Sequence, residues 1–349
     1  MEIMAYRSKT TIILITLLCT LPLHAWKVFP LVSYSSTSGV LIGGVVSNNM
    51  IPPFEPFGLG AMAYMYTDGS IFAEPKLLFP AGRGLVTLSA GYRVRKKVKF
   101  FGWGNEGDNE LFAEYNAEIQ DFSGSYNFTP LSGLALSGGL LCRHSTVYNR
   151  SDEQLWSQSP TGEYGSIWTA GPFVKGNWSI PALVNGYIST GYDMQWGGDI
   201  SYSSGECALA VFAPLGSSTT PAFRMKVERH MGTASTPFSF LPSLGGSSGL
   251  RGYSDARFGG NWALLGNLEL RQRIFSVSID ENNTMDFSLV LFGDAGQVAD
   301  HLDECRWNRF HLDGGAGMRI SLPGGGSLRV DFAKSPEGLG IQMGLGELF

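Results

Sequence analysis

Between Asn261 and Ile274 the chain changes character at every step. The even positions carry Trp262, Leu264, Gly266, Leu268, Leu270, Gln272 and Ile274, while the odd ones include Asn261, Asn267, Glu269, Arg271 and Arg273. Successive side chains of a strand point to opposite faces. One face of this strand therefore suits hydrocarbon and the other suits water and charge. An open sheet in a bilayer would leave its edge amides without partners, so strands of this kind have to close on themselves. The alternation predicts the wall of a transmembrane barrel.

The same parity recurs downstream. Met285, Phe287, Leu289 and Leu291 fall on one side of a strand, with Asp286, Ser288 and Asp294 on the other. Met318, Ile320 and Leu322 oppose Arg319 and Ser321, and Leu328, Val330 and Phe332 oppose Arg329 and Asp331. From Ile341 the last strand is expected to carry Ile341, Met343, Leu345 and the terminal Phe349 on one face. Further candidates run at 38–48, 57–67, 70–79, 84–95, 97–103, 109–117, 119–128, 133–144, 163–176, 183–195, 201–213 and 221–230. Bacterial single-chain barrels carry an even number of strands. The expectation is an all-β fold: one antiparallel barrel of about 16 strands.

The N-terminus places the barrel. Arg7 and Lys9 precede an apolar run from Thr10 to Leu23 that ends at Leu23-His24-Ala25, the layout of a cleaved secretory signal over residues 1–25. Cys19 follows Leu18 rather than a small residue, which argues against lipoprotein processing. Residues 26–349 are then one barrel domain in the bacterial outer membrane. No segment of that domain approaches 18 consecutive apolar residues, so a helical membrane protein is excluded. Without Glu2, Arg7 and Lys9 the domain keeps 23 Lys+Arg and 29 Asp+Glu, a net charge of −6, and no nucleic-acid partner is expected. Its three cysteines, Cys142, Cys207 and Cys305, fit neither a disulfide framework nor a zinc site, and a single loop disulfide stays open.

One loop is unusually long, Met231 to Gly260, and contains Leu244-Gly245-Gly246-Ser247-Ser248-Gly249-Leu250-Arg251-Gly252-Tyr253. Loops of this length without structure of their own are often functional. Around Leu250 to Tyr253 the sequence resembles the superfamily of outer-membrane assembly factors and two-partner-secretion transporters, the BamA-like and TamA-like barrels that include bacterial surface antigens. Their hallmark is a [Val/Ile/Leu]-Arg-Gly-[Phe/Tyr] tip on the extracellular loop between strands 11 and 12. The resemblance extends to Pro30-Leu31-Val32-Ser33-Tyr34 leading to Gly39, to Phe101-Gly102-Trp103-Gly104-Asn105, to Phe292-Gly293-Asp294-Ala295-Gly296, and to the segment from Gly317-Met318-Arg319 through Pro323 to Phe349.

The resemblance implies that the loop folds back into the lumen and that Arg251 pairs with Asp294 on the wall, near the middle of strand 13. Leu250, Gly252 and Tyr253 complete the tip, and Phe349 stands as the C-terminal barrel signal. About a dozen residues separate Ala25 from the first strand expected here, which implies a barrel-only member without POTRA domains. The expected function is aid to protein or lipid insertion or translocation, with a passive pore or a structural surface-antigen barrel as alternatives. Expected partners are outer-membrane lipid, lipopolysaccharide and a separate periplasmic POTRA or passenger protein; a homo-oligomer is left open.

Other constellations carry less. Gly245-Gly246-Ser247-Ser248-Gly249 satisfies the nucleophile-elbow pattern, but that motif needs a strand before it and a helix after it, and neither is expected around Ser247. His144, His230, His301 and His311 have neither triad nor metal-site spacing, so no enzyme, metal or cofactor is expected. Arg93, Arg95, Lys96, Lys97 and Lys99 form the one basic cluster, expected as a solvated strand end, with contact to anionic headgroups as the sharper reading.

Overall fold

The computed structural model describes residues 27–35, 38–48, 57–151, 166–180, 185–198, 200–232, 236, 238–246, 249–278, 284–322, 326–345 and 348–349. The expected signal segment and Ser247 lie outside these residues. Eighteen strands follow one another: β1 (Lys27–Ser35), β2 (Gly39–Ser47), β3 (Gly58–Tyr66), β4 (Ile71–Ala81), β5 (Gly84–Phe100), β6 (Ala113–Leu131), β7 (Leu134–Tyr148), β8 (Ser166–Ile180), β9 (Asn185–Gly197), β10 (Ile200–Phe212), β11 (Thr219–Gly232), β12 (Ser243–Leu244), β13 (Phe258–Gly259), β14 (Trp262–Ser278), β15 (Thr284–Ala299), β16 (His311–Leu322), β17 (Gly326–Ser335) and β18 (Gly338–Leu345). Sixteen of them form one closed antiparallel barrel, each paired with its neighbours in order and β18 returning to β1. The other two, β12 and β13, pair with each other inside the long loop. The twelfth and thirteenth barrel strands are thus β14 and β15.

The count of sixteen arises differently from the sequence expectation. Segments 84–95 and 97–103 are one strand, β5, whose register with β6 shifts between Arg95 and Val98; Lys97 sits there at φ 49°. Segments 109–117 and 119–128 are likewise one strand, β6. The lost pair is partly restored by β1, which lies ahead of the first strand expected from the sequence and runs unbroken through Pro30. Proline is tolerated where a strand has a weakly paired edge, and β1 has one. Among the described residues it holds nine registered pairs with β2 but a single one, Ser35↔Gln342, with β18. Ser33 Oγ adds one hydrogen bond to the Met343 carbonyl at 2.5 Å.

Parity sets the two faces. On β14, Leu268 and Leu270 are exposed on the outer wall while Ala263, Leu265, Asn267 and Glu269 are buried inside. On β15, Leu289 and Leu291 face out and Val290, Phe292 and Asp294 face in. The longer connections, including 101–112, 233–261 and 300–310, lie at one end, and both described termini of the barrel lie at the other. Extracellular loops are the long ones in such barrels and periplasmic turns the short ones, so the long-loop end is extracellular.

The terminal aromatic departs from the expected face. β18 stops at Leu345, and the ring of Phe349 stacks on Phe212 at 5.9 Å. The guanidinium carbons of Arg224 and Arg271 each lie 5.2 Å from its centroid, and Arg224 Nη1 donates to the Leu348 carbonyl at 3.0 Å. Arg224 also bonds Asn267, a lumen residue. Phe349 therefore lies on the inner side of the periplasmic mouth rather than beside Ile341 and Met343. Alternation applies only while the strand lasts, and it ends four residues earlier.

Candidate functional site: a loop held in the lumen by a buried arginine

The long loop enters the barrel as a small structure of its own. β12 and β13 pair through Ser243↔Gly259 and Leu244↔Phe258. Between them a turn closes, with the Tyr253 amide donating to the Leu250 carbonyl at 3.2 Å and the Gly246 amide to the Tyr253 carbonyl at 3.0 Å. Gly246 takes φ +59° there, a conformation glycine adopts without steric cost. Leu244, Leu250, Tyr253 and Phe258 of the loop then pack with Ala263, Leu265 and Val298 of the wall. The loop is anchored by apolar burial before any charge is considered.

Arg251 is fully buried at the tip. Its Nε donates to Asp294 Oδ2 at 2.8 Å and its Nη2 to Asp294 Oδ1 at 2.7 Å, a two-pronged fit of fork to carboxylate. Its Nη1 donates to Glu269 Oε1 at 2.7 Å and lies 3.5 Å from Asp331 Oδ2. The guanidinium carbon stands 3.4 Å from the centroid of the Phe292 ring, which closes one face of the group. Burial alone works against the charge, but the hydrogen bond and charge of Asp294, with those of Glu269 and Asp331, outweigh it and hold the guanidinium above its ordinary pKa.

The carboxylates are held in turn. Arg319 donates from Nη1 to Asp331 Oδ1 at 2.6 Å and from Nη2 to Glu269 Oε1 at 3.3 Å. Arg271 Nε donates to Glu269 Oε2 at 2.8 Å, and Asn267 Nδ2 to Asp294 Oδ1 at 2.7 Å. With Arg329 Nη1 3.7 Å from Asp331 Oδ2, three carboxylates and four guanidiniums from one loop and four strands form one network. Desolvating so many charges is costly, and removing one member leaves the others buried without compensation.

The neighbours of Arg251 fix the backbone. The Gly252 amide donates to Asp313 Oδ2 at 3.1 Å, and Ser335 Oγ donates to the Gly252 carbonyl at 2.7 Å. A Cβ at Gly252 would come within 2.9 Å of Asp313 Cβ and 3.0 Å of Ser335 Cβ, so only glycine fits. Tyr253 donates from its hydroxyl to the Leu312 carbonyl at 3.2 Å, and burial pushes its pKa up to about 12.

A second anchor lies nearer the mouth. Arg257 Nε donates to both oxygens of Glu337, at 2.9 and 3.0 Å, and its guanidinium sits 4.8 Å from the rings of Phe101 and Phe258. Phe258 stacks on His311 at 3.8 Å, and His311 Nε2 meets the Asn105 carbonyl at 2.8 Å. The Gly104 amide donates to the Gly259 carbonyl at 2.9 Å, and Trp103 Nε1 to Asp300 Oδ1 at 2.8 Å. The Phe101–Asn105 segment singled out in the sequence is the extracellular lid on this loop.

The sequence reading named Arg251 and Asp294, and the structure brings them together. It missed Glu269, Asp331, Arg319 and Phe292 as partners, although the first three had a lumen parity already assigned. The other candidates stay apart. His144 pairs with Ser166 Oγ at 2.6 Å and His230 Nδ1 with Ser204 Oγ at 3.1 Å, and neither pair has a carboxylate hydrogen-bonded to the imidazole among the described contacts. Cys142, Cys207 and Cys305 are free thiols.

The Omp85 superfamily domain matches residues 169–349, just over half of the chain. The protein belongs to the Omp85 superfamily. It is an outer-membrane barrel. Among solved structures it is similar to BamA from Haemophilus ducreyi lacking POTRA domains 1–3, at 17% identity and a TM-score of 0.67, over 92% of this chain and 69% of that one. It is also similar to CdiB from Escherichia coli, at 13% identity and a TM-score of 0.64, over 93% of this chain and 63% of that one. CdiB from Acinetobacter baumannii follows at 13% identity and a TM-score of 0.54, over 91% of this chain and 60% of that one. At these identities the likeness is one of fold, and the chain spans less than two thirds of either CdiB. A comparison with curated proteins returned no match.

Proposed function

We propose that this Omp85 barrel aids insertion or translocation of a protein or lipid at the outer membrane by parting its seam, while the pinned loop keeps the lumen filled. The observation that carries the reading is the seam itself. Among the described residues the other adjacent strands of the wall hold from seven registered pairs, in β2–β3, to sixteen, in β14–β15, whereas β1 and β18 hold one. Each missing ladder bond lowers the cost of separating the two strands. A passive diffusion pore gains nothing from a lumen occupied by a loop with a buried ion network. Selection of cargo is assigned to a separate periplasmic POTRA protein or passenger.

The test is a lock. Ser35→Cys with Gln342→Cys, in a background where Cys142, Cys207 and Cys305 are serine, places two thiols at the one registered seam pair. Oxidation should abolish complementation of a deletion strain, read as its outer-membrane protein and lipid profile, and a reductant should restore it. Full complementation by the oxidised, fully cross-linked barrel would contradict the reading.

A further inference from the structure

The basic cluster of β5 does not behave as one solvated strand end. The bulge at Lys96-Lys97 divides it. Lys96 turns to Tyr148, with Nζ 3.0 Å from its hydroxyl, and Lys99 Nζ lies 3.9 Å from the Phe112 ring centroid. Arg93 and Arg95 turn inward. The Arg93 guanidinium lies 5.4 Å from the ring centroid of Phe72, which stacks on Tyr64 at 4.9 Å. Both arginines line a cavity of about 350 Å³ whose wall also includes Lys96, Lys97 and Lys99 and the loop residue Asp255.

These two arginines differ from those that anchor the loop and its network. Arg143, Arg251, Arg257, Arg271 and Arg319 each have a carboxylate oxygen between 2.6 and 2.8 Å away. Among the described residues, Arg93 and Arg95 have no carboxylate within ion-pair distance. Of the acids near them, Glu74 is held by Lys76 at 3.0 Å and Asp255 belongs to the loop. Both guanidiniums line this cavity beside a wall of aromatic rings.

The position adds a route. Ser33 of β1 and Met343 of β18 line the same cavity, so it lies directly behind the seam. Two guanidiniums match the geometry of a phosphate group, which accepts several N–H bonds at once. The rings of Tyr64, Tyr66 and Phe72 offer an apolar surface beside it. We infer that this cavity is a phosphate-binding site, with Arg93 and Arg95 as the anion ligands and the aromatic wall receiving the body of a phosphate-bearing molecule. The inference goes beyond the seam reading, because a site of this kind can hold phosphate whether or not anything is transported.

The test is made on the full barrel in a non-ionic detergent, with inorganic phosphate and dihexanoyl phosphatidic acid as separate probes in calorimetric titrations. Both the wild type and Lys175→Gln, a change on the distant strand β8, should bind at least one probe with affinities within twofold of each other. Arg93→Gln/Arg95→Gln should lose at least tenfold, and raised salt should weaken wild-type binding. Tighter binding of the phosphatidic acid assigns the site to a lipid, and equal binding assigns it to a free anion. A measurement on the unaltered protein guards against misfolding of the double variant: the probe should protect Arg93 and Arg95 from phenylglyoxal, read by peptide mass spectrometry. No binding of either probe at millimolar concentration, or modification of both arginines unchanged by a saturating probe, would overturn the inference.

Discussion

Arg251 and Asp294 meet inside the barrel through two hydrogen bonds of 2.8 and 2.7 Å, with neither side chain exposed to solvent. One residue comes from a loop and the other from the wall, so this contact decides where the loop sits. Its removal exposes the size of the effect. Arg251→Ala leaves Asp294 buried without its two-pronged cationic partner, and breaking a buried pair in this way costs about 3–5 kcal/mol. The expected outcome is a clear drop in the urea midpoint of the purified barrel. Arg251→Lys should recover little, because an ammonium cannot make the two-pronged contact. Recovery to wild-type stability by lysine would show that charge alone matters.

Gly252→Ala tests the backbone rather than the charge. The added methyl meets Asp313 and Ser335 at 3.0 Å or less, against strand backbone that cannot give way. Overpacking of this kind costs about 1–3 kcal/mol. The loop should become accessible to protease from the extracellular side while the strands stay protected. An alanine variant as resistant as the wild type would mean that the tip is not seated as described.

Alkaline pH should loosen the same tip through Tyr253. Its pKa is raised to about 12 against an ordinary value near 10. The unfolded form loses its proton first, so the folded state is favoured fully below pH 10 and that contribution disappears as pH rises through 12. The stability difference between wild type and Tyr253→Phe, measured by urea titration at pH 9 and pH 11.5, should therefore shift against the wild type. A difference independent of pH over that range would contradict the buried, donating phenol.

Alternation made the wall legible, because a lipid face and a wet face leave a period of two in every long strand. It placed Asp294, Glu269, Arg319 and Asp331 on the lumen side. Parity gives a face but not a height, and the network depends on height. Asn267 lies opposite Asp294 and Asp294 opposite Asp313, whereas Glu269 lies opposite Phe292, and these registers cannot be read from one strand at a time. The same limit hid β1, which carries Pro30 within it, and split β5 at the Lys96-Lys97 bulge. At Phe349 the parity was carried past the end of its strand, and the ring turned inward to Phe212, Arg224 and Arg271. Arg93 and Arg95 looked like part of a solvated charge run because the cavity they line is closed by β1, β18 and the long loop, which are remote in sequence.

The central claim is that the Arg251 network holds the loop within the lumen, and single-channel conductance in a planar bilayer tests it most directly. The wild-type barrel should pass a small current, and Arg251→Ala, with the loop released, should raise it several-fold with frequent fluctuations. A conductance identical in the two proteins, both folded, would contradict the account.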